Sequence, residues 1–224
     1  GSEMCIRDRP IGLKVQTAKD NTNLIFSIIE LFKITKDLKY KMAIIKWIDS
    51  YFKNLMFDGD YFRFWQMNSK PKVVSLDHIH PVIDILCDTY KFIDKNDRYI
   101  KLASNIIDRC LNKYRLKNGL LPKELGRDKA FLDIQTDFIV SLHKLYELTG
   151  ENKYKVYASD LFERILKFFL TSEGFITFYD NKYFNKKIIS PKYNALLLKA
   201  FILMEDSSYR IYKNEESFKL MKDR

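Results

Sequence analysis

The stretch LDIQTDFIVSLHKLYELTGENKYKVYASDLFERILKFF, Leu132–Phe169, decides how the rest of the chain is read. In its first half Ile139, Leu142, Leu145 and Tyr146 recur at three- and four-residue spacing, which places them on one face of a helix. Leu161, Ile165 and Phe168 do the same in the second half. Between the halves lies TGENK, polar and long enough only for a tight reversal. Two amphipathic helices joined in this way form an antiparallel hairpin, and its apolar faces need neighbours.

The neighbours are written upstream. Tyr154 follows TGENK, Tyr99 follows DKNDR and Tyr40 follows TKDLK, so the three units superimpose with offsets of 59 and 55 residues. An aromatic residue closes the helix before each turn, Phe32, Tyr90 and Tyr146, at 8, 9 and 8 residues from its tyrosine. Each tyrosine is followed 19 or 20 residues later by a glycine, Gly59, Gly119 or Gly174. These glycines are expected to end the second helix in the left-handed C′ conformation. A fourth unit opens at Pro191, where Tyr193, Leu196, Leu197, Ala200 and Phe201 resume the pattern. The expectation is an all-α fold of about three and a half antiparallel helical hairpins across residues 10–205. Residues 1–9 read as a non-native leader, and 206–224 as a charged tail or the start of a further helix.

A period of 55 or more residues is too long for tetratricopeptide, ankyrin or HEAT repeats, which run from about 33 to 47. The LYELTGENKY turn and the repeat from Asn23 to Met204 resemble the six-hairpin (α/α) toroid superfamily of carbohydrate-active enzymes. That superfamily includes glycoside hydrolases, unsaturated-uronyl hydrolases, sugar epimerases and some polysaccharide lyases. The resemblance implies a carbohydrate substrate and a toroid of which this chain holds part, the remainder being absent or supplied by further sequence.

The connections between units are uneven. Short turns alternate with long loops, Gly59–Asp77, Gly119–Asp133 and Gly174–Pro191. Because hairpins alternate direction, the long loops are expected on one end, beside the N-termini of the first helices. Such an end favours an anionic ligand, for instance a uronate carboxylate. The loops carry Tyr61, Arg63 and Trp65 in GDYFRFWQ, Glu124 in NGLLPKELGRD, and Tyr179 in GFITFYDNKYF. Rings beside charges suit a sugar, with its apolar faces and polar edges, so these residues are read as substrate-binding. The competing reading has the aromatics closing the ends of the core, and it is preferred for the phenylalanines.

Superposing Tyr90 on Tyr146 brings Asp77 of LDHIHP onto Asp133 of LDIQTD. Under the resemblance these two are the candidate catalytic carboxylates, one protonated and one ionised, with His80 as a further acid/base group. His78 and Gln135, in the same two segments, join the substrate-binding set. The alternative is that both aspartates are helix N-caps. The His78-x-His80 pair has no third His or Cys nearby, so no metal site is expected. His143, in mid-helix, reads as structural. There is no G-x-S-x-G, Gly-rich phosphate loop or Cys–His signature, and no cofactor is expected.

The formal charge is +10, from 39 Lys plus Arg against 29 Asp plus Glu, but the two signs are interspersed and no run of five bases occurs. A nucleic-acid partner is therefore not expected. A non-catalytic helical scaffold binding a protein or acidic polymer remains the alternative to an enzyme. Cys5, Cys87 and Cys110 have no metal spacing, and the last two fall in apolar helical patterns. No apolar run approaches a membrane span. A cytoplasmic location is favoured, although a signal peptide would be lost with a native N-terminus.

Overall fold

In a computed structural model of the protein, which describes residues 15–16, 18–53, 57–58, 61–66, 72–73, 76–180 and 188–205, the helices fall where the periodicity places them. They are α1 (Ala18–Thr35) and α2 (Leu38–Lys53), α3 (His80–Phe92) and α4 (Arg98–Lys113), α5 (Leu132–Thr149) and α6 (Asn152–Phe169), and α7 (Pro191–Glu205). Among the described residues, three hairpins and one further helix make up the all-α architecture expected from the repeat. The chain divides into two compact units, Gly1–Tyr99 and Ile100–Arg224.

In α5 and α6 the faces that the spacing marks are buried except at Tyr146 and Phe168, which are half-buried. In the second unit, Phe138, Ile139, Leu142 and Leu145 of α5 and Leu161, Phe162, Ile165 and Phe169 of α6 are all fully buried. In the first, Val82, Ile83 and Leu86 of α3 are buried with Ile25 and Ile29 of α1 and Ile44 and Ile48 of α2. Cys87 and Cys110 are buried core residues, and burial pushes the Cys110 thiol well above its ordinary pKa. Among the described residues, no helix is long and apolar enough to cross a membrane.

Two of the short turns close in the same way. After α5, Gly150 adopts φ 69° and its N–H donates to Tyr146 O at 2.8 Å. After α1, Lys36 adopts φ 56° and its N–H donates to Phe32 O at 2.9 Å. In these two turns the repeat aromatic is the residue whose carbonyl closes the helix, whereas after α3 it is Thr89 O that accepts, from Ile93 N and Asp94 N at 2.9 Å. Asp37 Oδ1 then accepts from Lys39 N at 2.9 Å, and Asn96 Oδ1 from Arg98 N at 3.1 Å, capping the second helices. This corrects the glycine expectation. The helix-ending glycine is Gly150, whereas Gly119 lies six residues beyond α4 and Gly174 opens the second strand of a short β-hairpin; Gly59 is outside the described residues.

The repeat also encodes its own cross-links. In the first unit, Arg98 Nη2 meets Asp49 Oδ1 at 3.0 Å. In the second, Lys153 Nζ meets Asp108 Oδ2 at 3.0 Å. Both bases immediately precede a repeat tyrosine, and both acids lie nine residues after the tyrosine of the preceding hairpin. Tyr154 is buried, and its hydroxyl donates to Ser104 Oγ at 2.7 Å, tying α6 to α4 beside the second ion pair. Burial would lower the Lys153 pKa, but hydrogen bonds to Asp108, Tyr154 and Glu151 outweigh it and hold the ammonium above the usual lysine range. Because both partners remain partly exposed, a Lys153–Asp108 double-mutant cycle in urea unfolding is expected to give about 0.2–1 kcal/mol, shrinking as salt is added.

The long connections are not purely coil. In the first unit β1 (Val15–Gln16), β2 (Phe57–Asp58) and β4 (Lys72–Val73) all pair with β3 (Tyr61–Gln66), antiparallel. A 3-10 turn, Leu76–His78, leads into α3. In the second unit β5 (Lys129–Phe131) pairs with β8 (Phe178–Asp180), and β6 (Leu170–Thr171) with β7 (Gly174–Phe175). The β5–β8 pairing joins the α4–α5 and α6–α7 connections, so within this unit the long loops share one end of the helices. Leu24, Leu31 and Ile34 on α1, Leu38 and Met42 on α2, and Leu198 and Ile202 on α7 leave large apolar side chains exposed.

Candidate functional site

The site is best built from the β5–β8 ribbon. Register places Lys129 opposite Asp180, Ala130 opposite Tyr179 and Phe131 opposite Phe178. Strand alternation therefore sends Lys129, Phe131, Phe178 and Asp180 to one side, and Ala130 and Tyr179 to the other. Ala130 is fully buried and the Tyr179 ring sits 5.0 Å from that of Phe168 on α6, so the second side faces the core. The first side faces an open cleft of about 690 Å³, lined by Lys123, Glu124, Arg127, Asp128, Lys129, Phe131 and Asp180.

The cleft has a layered charge pattern. Glu124, Arg127 and Asp128 are exposed at the rim, with Arg127 Nε 3.7 Å from Glu124 Oε2. Lys123, Lys129, Phe131 and Asp180 are half-buried and form the floor. Lys129 Nζ lies 3.6 Å from the Phe178 ring centre and 5.1 Å from that of Phe131, while Lys123 Nζ lies 5.0 Å from Phe131. Each ammonium is thus oriented by the negative face of a ring.

The loop that walls the cleft is latched at two points. Gln135, fully buried in the first turn of α5, accepts from Leu121 N at 2.8 Å and donates to Leu121 O at 2.7 Å and Phe131 O at 3.1 Å. Arg164 of α6 donates to Asn118 O and pairs with Asp160, which also holds Arg115. Burial would raise the Asp160 pKa, but the two guanidiniums outweigh it and hold the carboxyl below its ordinary value. Further bonds, Lys123 N to Lys129 O and Arg127 N to Glu124 O, close the loop on itself. Asn194 at the start of α7 repeats the amide latch on Phe175, at 3.3 Å to its N–H and 3.0 Å to its carbonyl.

The expected site residues fall out as follows. Glu124 lines the cleft. Gln135 does not contact it: its amide is consumed by backbone groups in the interior, so its substrate-binding role is corrected to that of a positioning residue. Tyr179 packs on Phe168, whereas Phe178, expected to close the core, lies on the cleft side of the ribbon with its ring 5.8 Å from that of the lining residue Phe131. Asp133 is half-buried in the first turn of α5, two residues beyond the floor residue Phe131, and its Oδ1 accepts from Ile134 N at 2.9 Å. Asp77 is buried in the 3-10 turn of the first unit, with Oδ1 3.5 Å from His78 Nε2, and half-buried His80 begins α3. The helix N-caps are Ile79 and Phe131, neither bonding through a side chain, so the N-cap reading of the two aspartates is set aside. Tyr61, Arg63 and Trp65 lie on β3, and their side chains are outside the described residues. His143 is buried with Nε2 3.4 Å from Glu147 Oε1, a structural arrangement. Lys129 and Phe131 escaped sequence reasoning, because only the pairing with β8 reveals which side of KAF faces outward.

Antiparallel helical hairpins of this kind are the building units of (α/α) toroid folds. No family model matches the sequence, and no curated protein matches it; the likeness is to solved structures. A cellobiose 2-epimerase from Bacillus thermoamylovorans superimposes with a TM-score of 0.68 and 17% identity over 84% of this chain and 53% of its own. An unsaturated glucuronyl hydrolase specific for heparin gives 0.66 and 12% over 92% and 60%. A family 76 glycoside hydrolase (mannosidase) from Bacteroides thetaiotaomicron gives 0.61 and 17% over 88% and 56%. The chain has their fold and spans a little over half their length.

Proposed function

We propose that the protein is a carbohydrate-active enzyme, acting on a glycan by carboxylate general acid/base chemistry. The observation that carries this reading is the preformed cleft beside the N-terminus of α5, on a fold otherwise seen in an epimerase, a mannosidase and a glucuronyl hydrolase. Asp133 and Asp77 are assigned as the acid/base carboxylates from their matching places in successive repeats, each following a buried leucine, Leu132 or Leu76. His80 is assigned to proton transfer beside Asp77. A carboxyl kept protonated would deliver a proton to a departing oxygen or a sugar carbon, and an ionised one would accept a proton from water or from the substrate.

The test is a turnover assay of the protein on cellobiose, mannan, oligogalacturonate and a Δ4,5-unsaturated uronyl disaccharide, read by sugar analysis. Conversion of at least one substrate is the expected result. Absence of turnover on all four, together with salt-sensitive binding to an acidic polymer, would instead favour a non-catalytic scaffold.

A further inference from the structure

The layering of charge in the α4–α5 loop cleft carries a second, separable conclusion. The rim holds one base and two acids in full contact with water, where their fields are strongly screened. The floor holds two bases, Lys123 and Lys129, against one acid, Asp180, and all three are half-buried. Charges in that position act across a lower effective dielectric, so the floor dominates what a ligand meets.

The two floor ammoniums also share one aromatic ring. Both lie about 5 Å from the centre of the same Phe131 ring, which confines them to within about 10 Å of each other. Two like charges fixed around one ring repel, and a bound anion converts that repulsion into two attractions. The ribbon is secured by Ala130 and Tyr179 on its opposite side and by the Gln135 latch.

We infer that the floor of this cleft, formed by Lys123, Lys129 and Phe131, is a subsite for an anionic sugar ring, whose carboxylate or sulfate seats between the two ammoniums. The ring hydroxyls then face the carboxylates of Asp180, Asp128 and Glu124, which accept hydrogen bonds from them. The backbone of the loop is fixed at Asn118 and Leu121. The inference rests on the glycan reading above but goes further, naming the charge class of the glycan and the residues that select it.

Isothermal titration of the protein with trigalacturonate, and with uncharged galactotriose of the same linkage, tests it. Trigalacturonate is expected to bind at least about tenfold more tightly, and the gap to narrow as salt rises. Lys123→Gln and Lys129→Gln should each weaken trigalacturonate about tenfold and weaken the neutral trimer far less, so that the preference for the charged trimer shrinks. Lys129→Arg keeps the charge and the ring contact and should retain binding, which guards against a folding defect in the glutamine variant. Equal affinity for the two trimers, or wild-type affinity in both glutamine variants, overturns the subsite. If that occurs while a neutral glycan is still turned over, the enzyme reading stands without it. Anion-selective binding lost in the glutamine variants, with no turnover on any substrate, removes the enzyme reading and leaves the subsite in place.

Discussion

Asp133→Asn is expected to lower glycan turnover by about 10²–10⁴-fold while leaving the fold intact. The structure explains why the two effects should separate. Asp133 Oδ1 accepts from the Ile134 N–H at 2.9 Å, and an asparagine oxygen can accept the same bond. What asparagine loses is the ionisable proton and the negative charge near the α5 N-terminus, the latter worth about 0.3–1 kcal/mol in helix stability. The melting temperature should therefore fall by only a few degrees while kcat collapses. Asp77→Asn should behave likewise in turnover. Wild-type kcat in both variants would remove these aspartates from the chemistry, and a cooperative loss of folding would assign them to the scaffold instead.

Gly119→Ala is expected to be the most damaging single methyl in the cleft loop. Gly119 has φ 81°, and a Cβ there would meet the Arg164 guanidinium carbon at 2.2 Å. Arg164 cannot swing away without giving up Asn118 O and its pairing with Asp160 at 2.9 Å. The left-handed backbone costs about 1–2 kcal/mol and the displaced charged hydrogen bonds about 1.5–3 more, so a loss of roughly 3–5 kcal/mol is expected in urea unfolding. Gly126→Ala supplies the internal control. It has the same φ of 81° but meets nothing within 4 Å, so only the backbone term, about 1–2 kcal/mol, should appear. Equal losses at the two sites would show that the Arg164 contact carries no weight.

The helical part of this molecule was legible because its information is local. The spacing of Ile139, Leu142 and Leu145, and the polar turn before Tyr154, specify a hairpin without reference to anything distant. The site was legible only in part. Glu124 was found because a charged loop between helices is conspicuous, but Lys129 and Phe131 acquire their meaning from strand pairing with Phe178 and Asp180, far away in sequence. A three-residue strand carries no amphipathic signature strong enough to announce that partner. Gln135 misled for a related reason. An amide in a helix's first turn looks the same in sequence whether it meets a ligand or, as here, the backbone of the preceding loop. The glycines misled too, since a left-handed residue closes two of the hairpin turns, yet in one of them it is Lys36.

The ion pairs that join successive hairpins, Arg98 to Asp49 and Lys153 to Asp108, are separated by 49 and 45 residues of chain. Four residues more or fewer between them change nothing in how the helices are bolted together, because each bolt is counted from its own tyrosine. Insertions and deletions can accumulate in the connections while the frame holds its register. Natural variation, or a protein engineer, can therefore rebuild the rim of the cleft by changing loop length alone and leave its foundation untouched.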